Sequence, residues 1–184
     1  RSEHEQRMKA LGRLIAPFQL RRTNASVNRK LPPIVEERRA VVLSRPEADL
    51  YDLVRLSTQS QVQDAIRTLG ATRAESRILP LLLKMRQVCC DWRLLKDGNG
   101  EQRTPSAKSE AILETCEEFA ADGKFVMVTS EWSEWLSLLH SDLTRAGIGS
   151  SLVIGKIGGD RARAQALENY RSGKHKVLLL QLAM

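Results

Sequence analysis

Hydroxyl-bearing and basic residues follow two runs of the sequence that are predicted to be strands. Thr129 and Ser130 end the apolar run that begins at Phe125, and a helical pattern starts directly after them. Gly155 and Lys156 follow the next apolar run in the same way. A hydroxyl, an ammonium group and a helix N-terminus all bind phosphate. A structural interpretation also stays open, because Ser130 is an acceptable helix cap and an exposed lysine is common in a turn.

The residue patterns of known catalytic and metal sites are missing from the sequence. Each of the three Gly-Lys pairs, which begin at positions 123, 155 and 173, lacks both the earlier glycine and the following hydroxyl residue of a phosphate-binding loop. The three histidines are scattered, and no Cys-x-x-Cys pair occurs. We therefore expect no catalytic residue and no metal ligand here, and no hydrolysis of any substrate by this chain alone.

The last third of the sequence alternates strands and helices at a regular interval. Strand-like runs begin at Phe125, Ser151 and Val177, which are 26 residues apart, and apolar residues recur at helical spacing between them. This alternation predicts a parallel sheet whose binding edge is formed by the loops after the strand carboxyl ends. Because the chain stops inside the third run, we expect a partial sheet from a longer protein. We also expect self-association through an exposed apolar strand at 177–182.

The region before the sheet is predicted to be mostly helical. An amphipathic helix comes first, and a strand is predicted over Arg39–Leu43. Ser44 and Glu47 form a capping box at the start of a helix that Gly70 ends. A further helix is expected from about Glu75.

Charge is the part of the composition that says most about partners. The 184 residues carry a formal net charge of +7, and residues 1–39 alone contribute +6. Arginine outnumbers lysine by twenty to nine, and the planar guanidinium group suits phosphate. A polyanion partner and a solvated basic surface both explain this charge, so the two interpretations stay open.

The three cysteines indicate a reducing environment. Their number is odd and their spacing does not fit metal ligation, which favours an intracellular protein over a secreted one. The expected location is the cytoplasm in a prokaryote or the nucleus in a eukaryote. We interpret Cys89 and Cys90 as small buried apolar residues, with redox sensing as the alternative.

Seven motifs occur along the chain in a fixed order. They are PFQLRRT at 17–23 with LPP at 31–33, VLS at 42–44 with Tyr51, LLLKMRQVCCD at 81–91, SAK at 106–108, KFVMVTSEW at 124–132, the segment 155–170 with its arginine, and KVLLLQLAM at 176–184. Taken together they resemble the Swi/Snf-type DNA-dependent ATPases of helicase superfamily two. Asn24, Ile34, Trp92 and Lys156 depart from the family pattern, but they do not disturb the order of the motifs.

The resemblance implies a fold class and a division of the chain. Residues 1–45 would be the tail of a first RecA-like lobe, 46–105 a helical protrusion and brace, and 106–184 the first half of the second lobe. The expected fold is α/β, with a partial RecA-like parallel sheet of three strands and flanking helices after a mostly helical segment.

The resemblance also implies an activity for the full-length protein. It would be an ATP-driven translocase or remodeller that grips the backbone of double-stranded DNA, with DNA-bound proteins as further partners. ATP and Mg²⁺ would be bound by parts of the protein that precede and follow this chain, and not by the chain itself. Contacts of this kind fix position on DNA and carry little sequence information.

Site residues are implied by the same resemblance. The residues expected to bind nucleic acid are Thr129, Ser130, Gly155 and Lys156. Arg21 and Arg22 are expected to anchor the lobe junction or the protrusion, and Arg163 to hold its helix through a carboxylate. Two other functions stay open: a non-catalytic nucleic-acid-binding or scaffold module with a decayed motor fold, and an RNA helicase that separates strands.

Overall fold

A computed structural model of the chain describes residues 2–20, 33–96, 104–155 and 159–182. They belong to two compact units, residues 1–39 and residues 40–184. The first unit contains helix α1 (Ser2–Ile15) and a short 3-10 helix (Ala16–Phe18), as the amphipathic pattern predicts. Among the described residues, no helix is both long enough and apolar enough to cross a membrane.

The second unit begins with two long helices and continues as an α/β structure. The helices are α2 (Arg45–Leu69), α3 (Ala71–Cys90), α4 (Ala107–Ala121), α5 (Ser133–Arg145) and α6 (Gly159–Arg171), and the strands are β1 (Val126–Ser130), β2 (Ser150–Val153) and β3 (Val177–Gln181). A 3-10 turn, Trp92–Leu94, follows α3. The predicted fold class, a three-stranded parallel sheet with flanking helices after a mostly helical segment, is confirmed.

Helices α2 and α3 pack against each other and are called the hairpin below. The capping box that begins α2 is present, with the Ser44 amide and hydroxyl donating to Glu47 Oε2 at 2.8 and 2.6 Å. Gly70 joins the two helices with φ at 75°, a backbone conformation that favours glycine. Because this single residue makes the turn, α3 begins at Ala71 and not at Glu75 as the sequence predicted.

The predicted strand over Arg39–Leu43 is wrong. Residues 33–44 have no regular secondary structure, and Val42 in this segment is 86% exposed. Among the residues that the structure describes, no strand lies beside the β-branched residues that suggested this prediction, and strand propensity depends on such packing.

The three strands form a parallel sheet in the order β1-β3-β2. β3 pairs on one side with β1, from Val126 opposite Val177, and on the other side with β2, from Ser150 opposite Val177. The expected exposure of the 177–182 strand is therefore wrong, because β3 is the central strand. Its residues Leu178 and Leu179 are both buried although they face opposite sides of the sheet.

One hydrophobic core holds the helices against the sheet. Helix α5 contributes Trp135, Leu136, Leu139 and Leu143, which are at most 3% exposed, and these pack with residues of β3. The helical spacing of these four residues predicted this buried stripe. Helix α5 ends before Gly147, which has φ at 76° as a left-handed cap requires.

A buried guanidinium joins the end of the hairpin to α5. Arg93 donates to both carboxylate oxygens of Asp91 at 2.9 and 2.8 Å, and to both oxygens of Asp142 at 3.1 and 2.8 Å. The three side chains are at most 9% exposed. Burial by itself acts to raise the pKa of Asp91, but hydrogen bonds from Arg93 and Ser109 outweigh it and hold that pKa below its usual range.

Further hydrogen bonds extend this connection to α4. Asp91 Oδ2 accepts from the hydroxyl of Ser109 at 2.6 Å, and that hydroxyl accepts from Trp135 Nε1 at 2.9 Å. Glu47, which is only 1% exposed, accepts from the backbone amide of Ala107 at 3.1 Å while it also caps α2. One carboxylate thus serves the N-termini of two helices, where negative charge is stabilised.

The cysteine prediction is half correct. Cys90 is buried, and burial raises the pKa of its thiol to about 11, but Cys89 is exposed. The two residues are neighbours on a helix, and adjacent positions of a helix point about 100° apart, so only one of them faces the core.

We predict that Arg93→Ala lowers the free energy of unfolding by about 3–5 kcal/mol, because it leaves the buried carboxylate of Asp91 without its cation and removes one of the two arginines that pair with Asp142. Urea unfolding of the purified chain measures this. Arg55→Ala is the matched control, since its exposed ion pair with Asp52 is expected to contribute at most about 1 kcal/mol. An Arg93→Ala loss no larger than that of the control would contradict the prediction.

Stability is also predicted to depend on acid pH through Asp91. Because the pKa of Asp91 is lower in the folded chain, its contribution is complete above the unfolded value of about 4 and is lost as the pH falls through the folded pKa. The urea midpoint should therefore decrease below about pH 4. In Asp91→Asn the decrease should be shallower, and equal slopes for the two proteins would refute the assignment.

Candidate nucleic-acid interface

The carboxyl ends of all three strands meet at one edge of the sheet, called here the carboxyl edge. Ser130 at the end of β1 lies opposite Gln181 at the end of β3, and the Leu182 amide donates to the Ser130 carbonyl at 2.9 Å. Val153, which ends β2, lies opposite Leu180, so Gly155 follows on the other side of β3. Two of the segments predicted to bind nucleic acid are therefore brought to the same edge.

Ser130 forms a turn and does not cap α5. Its hydroxyl accepts from the Trp132 amide at 3.1 Å, and the residue at the cap position is Trp132 itself, which makes no side-chain cap hydrogen bond. The first four backbone N–H groups of any helix lack a hydrogen-bond partner within the helix. In α5 the side chain of the cap residue Trp132 does not supply one. Together with the helix dipole, these N–H groups can bind an anionic group.

Two carboxylates at the start of α5 are matched by cations from the hairpin side. Arg86 of α3 donates to Glu131 Oε2 at 3.2 Å, and Lys96 donates to Glu134 Oε1 at 3.3 Å. Arg86 also lies over the ring of Trp132, with its guanidinium carbon 6.0 Å from the ring centroid. These contacts compensate negative charge that otherwise repels phosphate from this helix end.

Thr129 and Ser130 do not share a face of β1. Successive side chains of a strand point to opposite sides, and Thr129 is exposed while Ser130 is half-buried. The two hydroxyls predicted to act together therefore serve different sides of the strand end. Trp132 packs against the hydrophobic core.

Gly155 is tied to β3 by a side chain that the sequence analysis did not single out. Its backbone amide donates to Gln181 Oε1 at 3.0 Å. The sequence did carry a signal for this contact, because Gln181 is a polar residue inside the apolar run 177–182. Its side-chain amide is half-buried, and buried polar groups are usually hydrogen-bonded. Gln181 is therefore a positioning residue for the loop that follows β2.

Arg163 of α6 lies at the carboxyl edge. It lines a cavity of about 340 Å³ together with Gly155, Leu180, Gln181 and the end of β2. Its Nη1 atom is 3.9 Å from Asp160 Oδ1, a long and exposed ion pair of the kind that contributes little to stability. That Arg163 holds its helix through a carboxylate stays a prediction.

Three predicted site residues lie outside the described residues. They are Arg21, Arg22 and Lys156. Among the described residues, no group of three or more histidine, cysteine, aspartate or glutamate side chains is arranged to hold a metal ion. The site that the described residues form is therefore a surface of hydroxyls, backbone amides and one arginine.

Comparison with known proteins identifies related sequences and folds. Residues 1–94 match the family described as SNF2-related domain. The chain is 26% identical over 174 residues to a protein of the Orgyia pseudotsugata multicapsid polyhedrosis virus whose name describes it as a global transactivator, covering 89% of this chain and 35% of that protein. It is 26% identical over 183 residues to YwqA of Bacillus subtilis, whose name describes it as an ATP-dependent helicase/translocase, covering 97% of this chain and 19% of that protein.

A solved structure shares the fold. The Sulfolobus solfataricus SWI2/SNF2 ATPase core in complex with dsDNA superposes with a TM-score of 0.67 at 21% identity, covering 94% of this chain and 36% of that chain. The chain thus spans about a third or less of the proteins it matches.

We predict that Gln181→Leu accelerates hydrogen exchange of the Gly155 amide by about fivefold, since it removes a hydrogen bond that contributes about 1 kcal/mol. Exchange followed by NMR measures this. Gln181→Glu retains an acceptor oxygen and should leave the rate close to that of the unmodified chain. The amide of Ile148, which donates to the Leu143 carbonyl at 2.9 Å, is the internal control. Unchanged exchange at Gly155 in the leucine variant would exclude the positioning role.

Proposed function

The chain belongs to the SNF2-related domain family, and on that basis we propose that it acts within an ATP-driven motor that translocates along double-stranded DNA. The part proposed for this chain is to bind the sugar-phosphate backbone with the carboxyl edge of its sheet. Such contacts hold a motor on DNA without selecting a sequence.

The observation that supports this proposal most directly is the arrangement of donors at the carboxyl edge. The Ser130 hydroxyl and the uncapped N-terminus of α5 follow the end of β1, and Arg163 of α6 lines the cavity at the same edge. In parallel α/β sheets, ligands bind outside the carboxyl ends of the strands. Phosphate is the ligand for which backbone amides, hydroxyls and a guanidinium are suited.

The connection between the hairpin and the sheet supports a mechanical role. Arg93 fixes the end of α3 to α5, and Arg86 reaches from α3 to Glu131 beside the candidate phosphate contacts. We propose that a movement of the hairpin is therefore transmitted to the edge that binds DNA. Movement of one lobe against another in the full-length protein then shifts the grip along the duplex.

ATP and Mg²⁺ are proposed cofactors of the full-length protein. The described residues do not fit either group, since they include no phosphate-binding loop and no cluster suited to a metal ion. We place both cofactors in other segments of that protein and derive no chemical step of hydrolysis from this chain.

The proposal is tested by the ATPase activity of the full-length protein with duplex DNA, single-stranded DNA and RNA compared at one salt concentration. Duplex DNA should stimulate turnover most, and this chain by itself should show no turnover above background. Stimulation by single-stranded RNA over duplex DNA would instead indicate an RNA helicase. DNA binding without any turnover would indicate a non-catalytic module that keeps the motor fold.

A second prediction concerns Lys156, which the sequence places after β2. In the full-length protein Lys156→Ala should weaken duplex binding regardless of sequence, and it should lower the slope of log K against log salt by about 0.9, the value for one phosphate contact. Lys174→Ala removes the same charge before β3, at the opposite end of that strand, and is the matched control. Equal slopes for the two variants would remove Lys156 from the interface.

A further inference from the structure

A polar groove runs along one side of the hairpin and is lined by residues other than those assigned to the carboxyl edge. A cavity of about 500 Å³ lies between α2 and α3, and a second of about 540 Å³ lies between the later part of α3, residues 94–96 and the start of α5. We call the surface formed by these two cavities the hairpin groove. The side chains of the groove that can contact an anion are those of Gln61, Thr68, Ser76, Arg77, Lys84 and Gln87.

The hairpin groove carries an excess of positive charge. Its two carboxylates are already engaged, since Asp64 pairs with Arg67 at 3.1 Å and Glu134 pairs with Lys96 at 3.3 Å. Arg77 and Lys84 are exposed and have no ion-pair partner among the described residues. Two positive charges therefore remain for a partner.

The two cations lie on the same side of α3 at a defined separation. They are seven residues apart, which is two turns of a helix and about 10 Å along its axis. One strand of duplex DNA has a phosphate about every 3.4 Å along the helix axis, so this separation corresponds to about three phosphates. The buried Ala65 of α2 and Leu81 of α3 line the groove between the two helices.

The hairpin groove is continuous with the carboxyl edge. Glu134, which lines the cavity beside Lys84, is in the first turn of α5, four residues after Ser130. A linear polyanion bound at the strand ends therefore passes directly to this groove. An acidic peptide also satisfies two cations, but the continuity with a candidate phosphate-binding surface favours a nucleic acid.

We propose that the hairpin groove is a second contact surface for the phosphate backbone of duplex DNA, with Arg77 and Lys84 as its binding residues. The inference rests on the proposed function, because it extends the path of the same duplex beyond the carboxyl edge. It assigns to the hairpin a binding role in addition to its mechanical connection to the sheet.

The experiment measures binding of a fluorescently labelled duplex to the full-length protein by anisotropy over a range of salt concentrations. The Arg77→Ala, Lys84→Ala double variant should lower the slope of log K against log salt by about 1.8, which corresponds to two phosphate contacts. The matched control is the Arg45→Ala, Arg55→Ala double variant, which removes two exposed arginines that are already paired with Asp49 and Asp52 on α2. It should leave the slope unchanged.

The outcomes separate the inference from the proposed function. If Lys156→Ala lowers the slope and the groove variant does not, the inference is overturned while the proposed function stands. If the unmodified protein does not bind the duplex, both fall. Retained duplex binding with loss of binding to a labelled polyglutamate peptide would assign the groove to an acidic protein partner and overturn the inference.

Two further double variants distinguish a loss of charge from misfolding. Arg77→Gln with Lys84→Gln keeps the length and polarity of both side chains, and it should show the same fall in slope as the alanine variant. Arg77→Lys with Lys84→Arg retains both charges and should restore the slope of the unmodified protein. Failure of this charge-retaining variant to restore the slope would show that shape, and not charge, is responsible, which contradicts the proposal.

Discussion

Arg93 is the interaction on which the arrangement of the second unit depends. Its guanidinium satisfies two carboxylates that are almost fully buried, one at the end of the hairpin and one on α5. Isolated buried charges are costly, so the burial of Asp91 depends on Arg93, while Asp142 is paired with both Arg93 and Arg145. This requirement fixes where α3 ends relative to the sheet, and the hydrogen bonds from Ser109 and Trp135 extend the same constraint to α4.

The same geometry sets the relative positions of the two surfaces that we propose bind phosphate. The carboxyl edge offers backbone amides and hydroxyls, whose directions are set by the strands and by α5. The hairpin offers side-chain cations, and it also compensates the acidic residues at the start of α5 through Arg86 and Lys96. Groups of these kinds would bind a polyanion by position and charge, which fits the proposed role of holding DNA at any sequence.

Local signals predicted the regular elements, and long-range contacts account for what was missed. The capping box at Ser44 predicted the start of α2, and the strand and helix patterns that alternate at 26-residue intervals predicted the parallel sheet, because each of these patterns is read within a short segment. The order of the strands was missed because it depends on pairing between distant residues. Two hydrogen bonds were missed for the same reason: Arg93 and Asp142 are 49 positions apart, and Gly155 and Gln181 are 26 positions apart. The predicted strand over 39–43 failed for the same reason, since propensity does not supply a neighbouring strand.

The strand order β1-β3-β2 has a consequence for synthesis on the ribosome. β1 and β2 do not pair with each other, and both pair with β3, which is translated after them. The nascent chain therefore exposes two unpaired strands and the apolar side of α5 until residues 177–181 leave the exit tunnel. Such exposed surfaces favour aggregation during translation. A chaperone that shields them at this stage therefore benefits this fold more than a fold whose strands pair in the order in which they are made.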